Sequence, residues 1–392
     1  MLKYLTLSRG NLHRGTTKKA RYQVAALNEL GIASELLIVT QRQGKEEVFE
    51  QVKFFYVETV ERKNILSRLD RAKKIRGIIS DIITSLNPED ILYIRGLEFQ
   101  LLYYPLAFFK PLRKCKLISE HQSIEIKQSL LYNSYSSVII DLLLGNILVG
   151  QSDGIVGVTD QITAFWSKRL FYRKIPCITI PNGFHVRSVN VRNPPLFNSR
   201  DIHVLFVGNV SRWHGVDRMI RGIAEYRGPA RIHFHIVGDG DEIENLKQLK
   251  NTITPEADIH FHGFLKGHDL DTMFDTSHIA VGSLGIHRKG LSQTSELKAR
   301  EYCSRGIPYV IACGDSDFPD QFPYILRIPA DENPVNIEDV VSFMHKLSNN
   351  PDHHHAMRTY AEENLDWKVK GAKLKGFIDK NFCRLPSTFH RR

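Results

Sequence analysis

A strand, a loop, a helix and a second strand can be read directly from residues 278–313, HIAVGSLGIHRKGLSQTSELKAREYCSRGIPYVIAC. The runs HIAVGSLG and IPYVIAC are short and apolar, as expected of buried strands. Between them, Thr294 or Ser295 can cap a helix, and Gly306 suits the left-handed position after its last turn. Where the carboxyl ends of such strands meet the N-terminus of such a helix, phosphates commonly bind.

The loop before this helix is basic, with Arg288 followed by Lys289. Together with the partial positive charge of the helix N-terminus, these two cations can neutralise an anion. The same residues also fit a solvated loop in front of a purely structural helix. Motifs elsewhere in the chain are needed to distinguish the anion site from the structural helix.

Strand-like and helix-like segments alternate along almost the whole chain, which predicts parallel sheets covered by helices. The alternation is interrupted by the polar, proline-containing segment VRSVNVRNPPLFNSRD at residues 186–201, and it restarts with HVLFVGN. We therefore expect an α/β protein with two doubly wound domains, residues 1–184 and residues 185–370. The 392 residues, 42% of them hydrophobic, are sufficient for two cores.

The sequence shows few targeting or redox features. It begins without an apolar segment and small-residue cleavage site, and its longest apolar run, SSVIIDLLLGNILVG, is interrupted by Asp141 and Gly145. We therefore expect neither a signal peptide nor a membrane-spanning helix. The five cysteines are odd in number and have no CxxC spacing, so a reducing cytoplasm is expected rather than a disulfide framework or a thiolate zinc site.

Positive charge is concentrated in the first part of the chain. The formal net charge is +10, and residues 1–150 hold 22 Lys and Arg against 15 Asp and Glu. Two basic clusters occur there, RLDRAKKIRG at residues 68–77 and FFKPLRKCK at residues 108–116, the second overlapping the apolar run LLYYPLAFF. They can bind anionic lipid, an anionic substrate or nucleic acid, or they can be solvated helix faces. No nucleic-acid-binding motif accompanies them, so we expect no nucleic-acid partner.

The tetrapeptide IHFH occurs twice and places His233 with His235, and His260 with His262, on one face of each strand. Some metallohydrolases hold zinc with histidine pairs of this kind. The pattern also arises from simple alternation along a strand, and no carboxylate ligand is evident near either copy. A metallohydrolase is therefore kept as an alternative, and no metal site is expected.

Three motifs follow one another in the second half of the chain. They are HVLFVGNVSRWHGVDRMIRGI at residues 203–223, RIHFHIVGDGDEIENL at residues 231–246 and EYCSRGIP at residues 301–308. Their order resembles the donor-binding domain of the family 4 glycosyltransferases, or glycosyl transferases group 1, which are retaining enzymes. Further matches over most of the chain are SRGNLHRGTTKKA, GQSDGIVGVTDQI, IPNG, FHGFL and NLDW.

The resemblance implies the GT-B architecture, in which two Rossmann-like domains face each other across a cleft. Residues 1–184 would form the acceptor-binding domain, and residues 185–370 the domain that binds a nucleotide-sugar donor. A C-terminal helix at residues 371–392 would pack back on the first domain.

The resemblance also implies how the donor would be held. Gly208 and Gly215 would let the backbone approach the ligand, whereas Asn209 and His214 stand where the family usually has an arginine and a lysine for the diphosphate. The difference matters because negative charge grows there on the leaving group. The candidate replacements are Arg212, Arg288 and Lys289, aided by the helix N-terminus. The full donor-binding set comprises Gly15, Gly208, Asn209, Arg212, His214, Gly238, Asp239, Gly240, Phe264, Arg288, Lys289, Thr294, Ser295, Glu296 and Glu301.

The family carries two glutamates separated by seven residues. Glu301 fits the second position, since Gly306 and Pro308 follow at the expected offsets, and its carboxylate would accept hydrogen bonds from the ribose hydroxyls. Gln293 takes the first position, where an amide can bond to the donor sugar but cannot contribute negative charge. Glu296 is a nearby carboxylate that could serve if the loop has a different register.

In the first half, CKLISEHQSIEIKQ resembles the strand whose end supplies a histidine to the cleft. His121 is the match, with Glu120 and Glu125 beside it. The catalytic residues implied by the resemblance are therefore His121, Gln293 and Glu301.

The expected function is transfer of a sugar from a nucleoside diphosphate sugar to an acceptor hydroxyl with retention of configuration. The resemblance implies polysaccharide, lipopolysaccharide or glycolipid assembly, with a saccharide or lipid-linked acceptor. The basic first domain favours an anionic surface on the inner face of a membrane. No metal or other cofactor is expected. The alternatives are a catalytically degenerate sugar-nucleotide-binding protein, a GT-B epimerase or phosphorylase, and the metallohydrolase.

Overall fold

The structure is a computed structural model that describes residues 1–7, 15–40, 50–57, 65–95, 105–170 and 173–382. It divides into two compact units, Met1–Gly183 with Trp367–Arg392, and Phe184–Asp366. Within the described ranges, no helix is long and apolar enough to cross a membrane.

Unit 1 contains a parallel sheet in the order β3-β2-β1-β4-β5-β6-β7. Its strands are β1 (Leu2–Leu7), β2 (Ser34–Thr40), β3 (Val52–Tyr56), β4 (Ile91–Arg95), β5 (Lys116–His121), β6 (Gly154–Gly157) and β7 (Cys177–Thr179). The helices between them are α1 (Gly15–Glu29), α2 (Ile65–Thr84), α3 (Glu125–Leu131), α4 (Tyr135–Ile140), α5 (Asn146–Val149) and α6 (Asp160–Arg169). Apolar side chains cover both faces of the sheet, as a doubly wound fold requires.

Unit 2 contains a second parallel sheet, in the order β10-β9-β8-β11-β12-β13. Its strands are β8 (Asp201–Val207), β9 (Arg231–Val237), β10 (Ile259–Gly263), β11 (Ile279–Val281), β12 (Tyr309–Ile311) and β13 (Ile325–Arg327). The helices are α7 (Val216–Glu225), α8 (Ile243–Ile253), α9 (His268–Thr276), α10 (Leu297–Arg305), α11 (Ile337–Ser348) and α12 (His353–Asn364). The expectation of two Rossmann-like sheets is confirmed.

The last described helix, α13 (Trp367–Asn381), follows unit 2 in sequence but belongs to unit 1. A side chain at Gly371 would approach Leu30 and Leu27, so α13 packs closely against α1 and the turn after it. The Trp367 ring lies so near Gly183 that a Cβ there would be 2.6 Å from it. The chain therefore leaves unit 1 after Gly183 and returns to it at Trp367.

Helix α10 is held in unit 2 by a buried ion pair. Arg300 is fully buried and donates to both carboxylate oxygens of Asp315 and, at 2.7 Å, to Asp317. The helix ends at Gly306, whose φ of +80° is accessible mainly to glycine. On its other side, the Cys303 thiol bonds to the carbonyl of Met357 in α12. These contacts leave α10 little freedom to shift.

A row of histidines crosses β8, β9 and β10. His203 Nδ1 lies 3.1 Å from His235 Nε2, and His235 Nδ1 lies 3.0 Å from His262 Nε2. A neutral imidazole has one donor and one acceptor, so a chain of neutral rings satisfies every member of it. Burial, together with the neighbouring histidines, lowers the pKa of His235 to about 4. The row is therefore built for the uncharged state.

We predict that unit 2 loses stability in mild acid. The unfolded chain binds protons at histidine near pH 6.5, whereas the folded chain binds them at His235 only near pH 4. The contribution of such a histidine to the free energy of unfolding is therefore fully present above about pH 6.5. It falls by up to ~1.4 kcal/mol per pH unit for each such group as the pH drops toward 4. Urea unfolding between pH 4.5 and 7.5 measures this slope. His235→Leu should flatten it and the exposed control His355→Leu should not; equal slopes in all three proteins would contradict the prediction.

We also predict that Arg300→Met destabilises unit 2 by about 3–5 kcal/mol, because it leaves the Asp315 carboxylate buried without its partner. Arg231 provides the control, since it forms an ion pair with Asp258 while most of its side chain is exposed. Arg231→Met should cost at most about 1 kcal/mol. Guanidinium unfolding measures both, and equal losses would show that the Arg300 pair contributes no more than a surface pair.

Candidate functional site

The carboxyl ends of β8, β9 and β11 meet where the strand order of unit 2 reverses. Strand β8 lies between β9 on one side and β11 on the other. The helices after β8 and β9 pack on one face of the sheet and the helix after β11 packs on the other, which opens a crevice at this edge. Most of the residues expected to bind the donor follow these strands or lie at the start of α10.

Glycines allow the loops after β8 and β9 to touch. Gly208 has a φ of +150° and Gly238 a φ of +125°, conformations that other residues rarely adopt. A Cβ on Gly238 would overlap the carbonyl oxygen of Gly208, and a Cβ on Gly240 would overlap that of Val210. The loops are also joined by a bond from the Val210 N–H to the carbonyl of Asp239, at 2.8 Å. These glycines therefore have a structural role, whether or not they also contact a ligand.

The loop after β8 presents little positive charge of its own. Asn209 is exposed and donates to Ser211 Oγ, while the Arg212 side chain is exposed. His214 is buried, and its Nδ1 accepts from the Ser211 N–H at 3.1 Å. Burial lowers the pKa of His214 well below its ordinary value, and nearby lysines lower it further. His214 is therefore a neutral ring that shapes this loop.

Arg288 does not point a free charge into the site. Its guanidinium bonds to both carboxylate oxygens of Asp217, at 2.8 and 2.9 Å, and to Glu332, and it also donates to the carbonyl of Arg212. Two carboxylates already neutralise this cation. Arg288 therefore ties its loop to α7, and its contact with the diphosphate stays a prediction.

The other predicted loop residues are more accessible. Lys289 is partly exposed, and its Nζ lies 4.7 Å from the centre of the Trp213 ring. Asp239 is exposed after β9. Phe264 follows β10 with 67% of its surface exposed, which is unusual for a large aromatic side chain. All three lie at least partly exposed at this edge of the sheet.

The start of α10 differs from the expectation. Glu296, rather than Thr294 or Ser295, is the residue before the helix, and its side chain does not cap the backbone. Thr294 and Ser295 are buried, and the Thr294 N–H bonds to the carbonyl of Gly314. One Glu296 oxygen accepts from the Ser283 hydroxyl, and the other is buried without a hydrogen-bond partner among the described residues.

Gln293 and Glu301, which take the two glutamate positions of the family, lie before and after the first residue of α10. Gln293 forms an isolated parallel bridge with Gly314, beyond the end of β12. Glu301 lies in α10, where its Oε1 accepts from Arg305 Nε at 3.0 Å and the side chain stays 23% exposed. Arg305 also pairs with Asp271, so Glu301 shares its cation with a second carboxylate.

Sequence reasoning missed Lys298. Its Nζ lies 4.1 Å from the centre of the Phe206 ring and 3.3 Å from the position a Cβ on Gly208 would take. Part of the side chain is exposed, but Nζ is buried and has no hydrogen-bond partner among the described residues. Its sequence signal is a lysine in the first turn of a helix, where the helix dipole disfavours a cation.

In unit 1, His121 ends β5 and is fully buried. Its Nε2 lies 3.1 Å from Ser119 Oγ, its Nδ1 lies 3.8 Å from Glu125, and its ring lies against Trp166. Gly15, the other predicted site residue of this unit, begins α1. Gly10, which lies in the motif SRGNLHRGTTKKA, is outside the described residues.

Glu120, beside His121, is the centre of a buried charge cluster that the sequence did not reveal. Lys19 Nζ and Tyr93 OH each lie 2.6 Å from its oxygens, and Arg95 lies at 3.4 Å. Burial lowers the pKa of the Lys19 ammonium to about 7, although the Glu120 carboxylate opposes this. The cluster fixes the end of β5, and therefore the backbone that carries His121, against α1.

The paired histidines do not converge on a metal. His233 lies 3.0 Å from Asp201 and 2.7 Å from Asp258, His260 also pairs with Asp258, and His235 bonds to His203 and His262. Among the residues that the structure describes, no group of three or more His, Cys, Asp or Glu could hold a metal ion. The geometry gives the metallohydrolase alternative no support.

Comparisons with known proteins agree on the fold. Residues 201–321 match the family model described as Glycosyl transferases group 1. No curated protein sequence matches the chain significantly. Among solved structures, a sucrose-phosphate synthase from Thermosynechococcus elongatus aligns with a TM-score of 0.70 and 12% identity, over 97% of this chain and 99% of that one.

Two further solved structures align over nearly their full length. The lipopolysaccharide outer core galactosyltransferase WaaB, in its apo form, has a TM-score of 0.64 and 15% identity, over 96% of this chain and 99% of that one. HepE from Anabaena, in complex with UDP and glucose, has a TM-score of 0.64 and 12% identity, over 97% of this chain and 100% of that one. The chain therefore has the GT-B fold, and residues 201–321 of its second unit match the glycosyl transferases group 1 family.

Proposed function

We propose that the chain is a retaining glycosyltransferase that moves a sugar from a nucleoside diphosphate sugar to an acceptor hydroxyl. The observation that carries the proposal is the position of the family match. Residues 201–321 contain the touching loops at Gly208 and Gly238 and the start of α10, which lie together at one edge of the sheet. UDP or UDP-glucose occupies the HepE structures, which supports UDP-sugars as the first donors to test.

In this proposal, unit 2 holds the donor. Glu301 accepts hydrogen bonds from the ribose hydroxyls, because its carboxylate is accessible and only partly engaged by Arg305. Gln293 bonds to the donor sugar through its amide. The N-terminus of α10 faces the diphosphate with the positive end of the helix dipole, whereas the Thr294 N–H is already bonded to the carbonyl of Gly314. Lys289 and Arg212 remain proposed contacts at the rim.

The leaving diphosphate is stabilised without a metal ion in this proposal. Charge develops on it as the bond to the sugar breaks, and fixed donors aimed at that charge lower the barrier. Helix N–H groups and lysine ammonium groups supply this stabilisation. His121 of unit 1 acts on the acceptor side, where its ring is fixed by Ser119 and Trp166 and can form a hydrogen bond with a sugar hydroxyl.

We further propose a lipid-linked or saccharide acceptor and work at the inner face of a membrane. The segment from the start of α3 to the end of α5 exposes large apolar side chains: Leu130, Tyr132, Tyr135, Ile139, Leu142, Leu143 and Ile147. We call this set the apolar face. Gln151 connects the basic segment at residues 108–116 to the apolar face. The Lys110 N–H donates to Gln151 Oε1, and Gln151 Nε2 donates to the carbonyl of Ile147. Such a surface suits an anionic leaflet.

The basic segment is only partly available for lipid. Lys110, Lys114 and Lys116 are exposed, and Leu106 and Leu112 expose 72% and 61% of their surfaces beside them. Arg113 is instead buried and bonds to Asp153 and to backbone carbonyls, so it serves the fold. Residues 101–104 of the predicted apolar run lie outside the described residues.

A catalytically degenerate sugar-nucleotide-binding protein is the second candidate. It is favoured by the neutral Asn209 and His214 and by the amide of Gln293, which stand at the positions where the family resemblance implies charged groups. Such a protein would bind the nucleotide and release no product.

A donor panel distinguishes the two candidates. UDP-glucose, UDP-galactose, UDP-N-acetylglucosamine, GDP-mannose and ADP-glucose are each incubated with the protein, with and without lipid and saccharide acceptors, and nucleoside diphosphate release is measured. We expect release with at least one donor, and a product whose anomeric configuration by NMR equals that of the donor. An inverted product overturns the retaining assignment. Tight nucleotide binding without transfer or donor hydrolysis supports the binding protein.

We predict that Glu301→Ala weakens binding of the donor nucleotide by roughly 2–4 kcal/mol, because two charge-assisted hydrogen bonds to ribose are lost. Glu362→Ala is the matched control, since Glu362 pairs with Arg358 at the same spacing on α12. Calorimetric titration measures both variants. Unchanged nucleotide affinity in a folded Glu301→Ala protein would remove Glu301 from the donor site.

We predict reversible, salt-sensitive binding to anionic vesicles, with each cation near the surface worth about 1 kcal/mol. Sedimentation with anionic and neutral vesicles at low and high salt measures it. Leu142→Ser with Leu143→Ser should weaken binding, whereas Leu196→Ser, at a 94% exposed position in unit 2, should not. Equal failure to bind either vesicle type would overturn the membrane proposal and leave the transferase proposal intact.

A further inference from the structure

The donor site described above has less fixed positive charge than a bound diphosphate requires. A nucleoside diphosphate carries at least two negative charges, yet the loop after β8 offers a neutral amide at Asn209 and a neutral buried ring at His214. Arg288 is already neutralised by Asp217 and Glu332. Arg212 is exposed and Lys289 is partly exposed at the rim, so a buried and fixed cation has to come from another element if this crevice binds a diphosphate.

Lys298 of α10 is such a cation. Its Nζ reaches across from the helix to the loop after β8, where it lies over the Phe206 ring and close to the bare Cα of Gly208. The buried ammonium has no hydrogen-bond partner among the described residues, and one oxygen of Glu296 nearby has none either. The Lys298 ammonium and this Glu296 oxygen can form hydrogen bonds only with a molecule that enters the site.

An unpaired buried ammonium is costly. Its removal from water is repaid only by a close opposite charge with good hydrogen bonds, and the dipole of α10 opposes a cation in the first turn. Glu296 faces Lys298 but does not bond to it. An ammonium that is buried at this cost in free energy, next to a glycine loop and a helix N-terminus, has the properties expected of a ligand-binding residue.

We propose that Lys298 provides the fixed positive charge that binds the donor diphosphate, so that the cation of this site has moved from the β8 loop to α10. This inference rests on the proposed function and assigns its phosphate-binding residue. The absent Cβ of Gly208 leaves room for a phosphate oxygen beside Nζ. The N–H groups at the start of α10 supply further donors on the same side of the ligand.

The proposal has a characteristic dependence on pH. Burial lowers the pKa of Lys298 to about 8, and the groups that face it are Glu296, Cys313 and His214. Burial raises the pKa of the Cys313 thiol, and His214 is neutral, so neither changes charge near pH 8. A bound diphosphate favours the ammonium and raises the pKa of Lys298. Affinity is therefore complete below about pH 8 and falls as the pH rises above it, and binding takes up a proton in that range.

The test uses the full-length protein and four nucleotides, UDP, GDP, ADP and dTDP. The nucleotide that binds is compared with its own nucleoside by calorimetric titration at pH 6.5 to 9.5. The variants are Lys298→Met, which removes the charge at nearly constant volume, and Lys298→Arg, which keeps it. Lys346→Met on the exposed surface of α11 is the matched control.

We expect Lys298→Met to lose about 10- to 100-fold in affinity for the diphosphate and little for the nucleoside. The fall in affinity above pH 8 should disappear in Lys298→Met, and Lys298→Arg should recover part of the binding. Thermal unfolding of Lys298→Met should occur at the wild-type temperature or above, because an unpaired buried charge has been removed. Lys346→Met should behave as wild type throughout.

Three results overturn the inference while leaving the proposed function standing. These are an unchanged diphosphate affinity in Lys298→Met, an equal loss for diphosphate and nucleoside, and a lowered unfolding temperature that assigns Lys298 to an ion pair with Glu296. A wild-type protein that binds none of the four nucleotides overturns the proposed function, and this inference with it.

Discussion

The candidate site depends first on the buried pairing of Arg300 with Asp315 and Asp317. This contact fixes α10 against the segment that follows β12, and α10 and the residues just before it carry Gln293, Glu296, Lys298 and Glu301. The helix and the segment before it therefore bring an amide, two carboxylates and an ammonium to the same edge of the sheet. The helical repeat sets the spacing of Lys298 and Glu301, and the register of the helix is set by a guanidinium that no ligand would touch.

The alternation of apolar strands and amphipathic helices was enough to predict two parallel sheets, because buried strands and glycine turns leave strong local patterns. Gly306 was predicted for the same reason, since its left-handed conformation favours glycine, whereas Gly208 and Gly238 were predicted as donor contacts and also have positive φ angles. The roles of charged side chains could not be predicted in this way. Arg288 is neutralised by carboxylates 71 and 44 residues away, and nothing in its local sequence reveals them.

Tertiary contacts also determine burial elsewhere. The apolar run after residue 136 is folded as short consecutive helices with Leu142 and Leu143 exposed, while Asp141, which interrupts the run, is buried in a pair with Arg169. Lys298 escaped notice because a single lysine in a helix is ordinary in sequence. It becomes unusual only when the position of Phe206, on a strand more than ninety residues earlier, is known. Propensity and patterning determine which helix or strand carries a side chain. Its tertiary neighbours determine whether its charge is paired.

The return of α13 to unit 1 has a consequence for how the protein is made. During synthesis, the residues up to Gly183 leave the ribosome before the helix that covers α1 exists, so the apolar groups that meet Leu374 and Phe377 have no partner until unit 2 has been translated. Unit 2 is continuous in the chain and can complete its core first. The earlier-synthesised unit is thus the later one to mature, and during that interval it is the part of the nascent chain most exposed to chaperones and proteases.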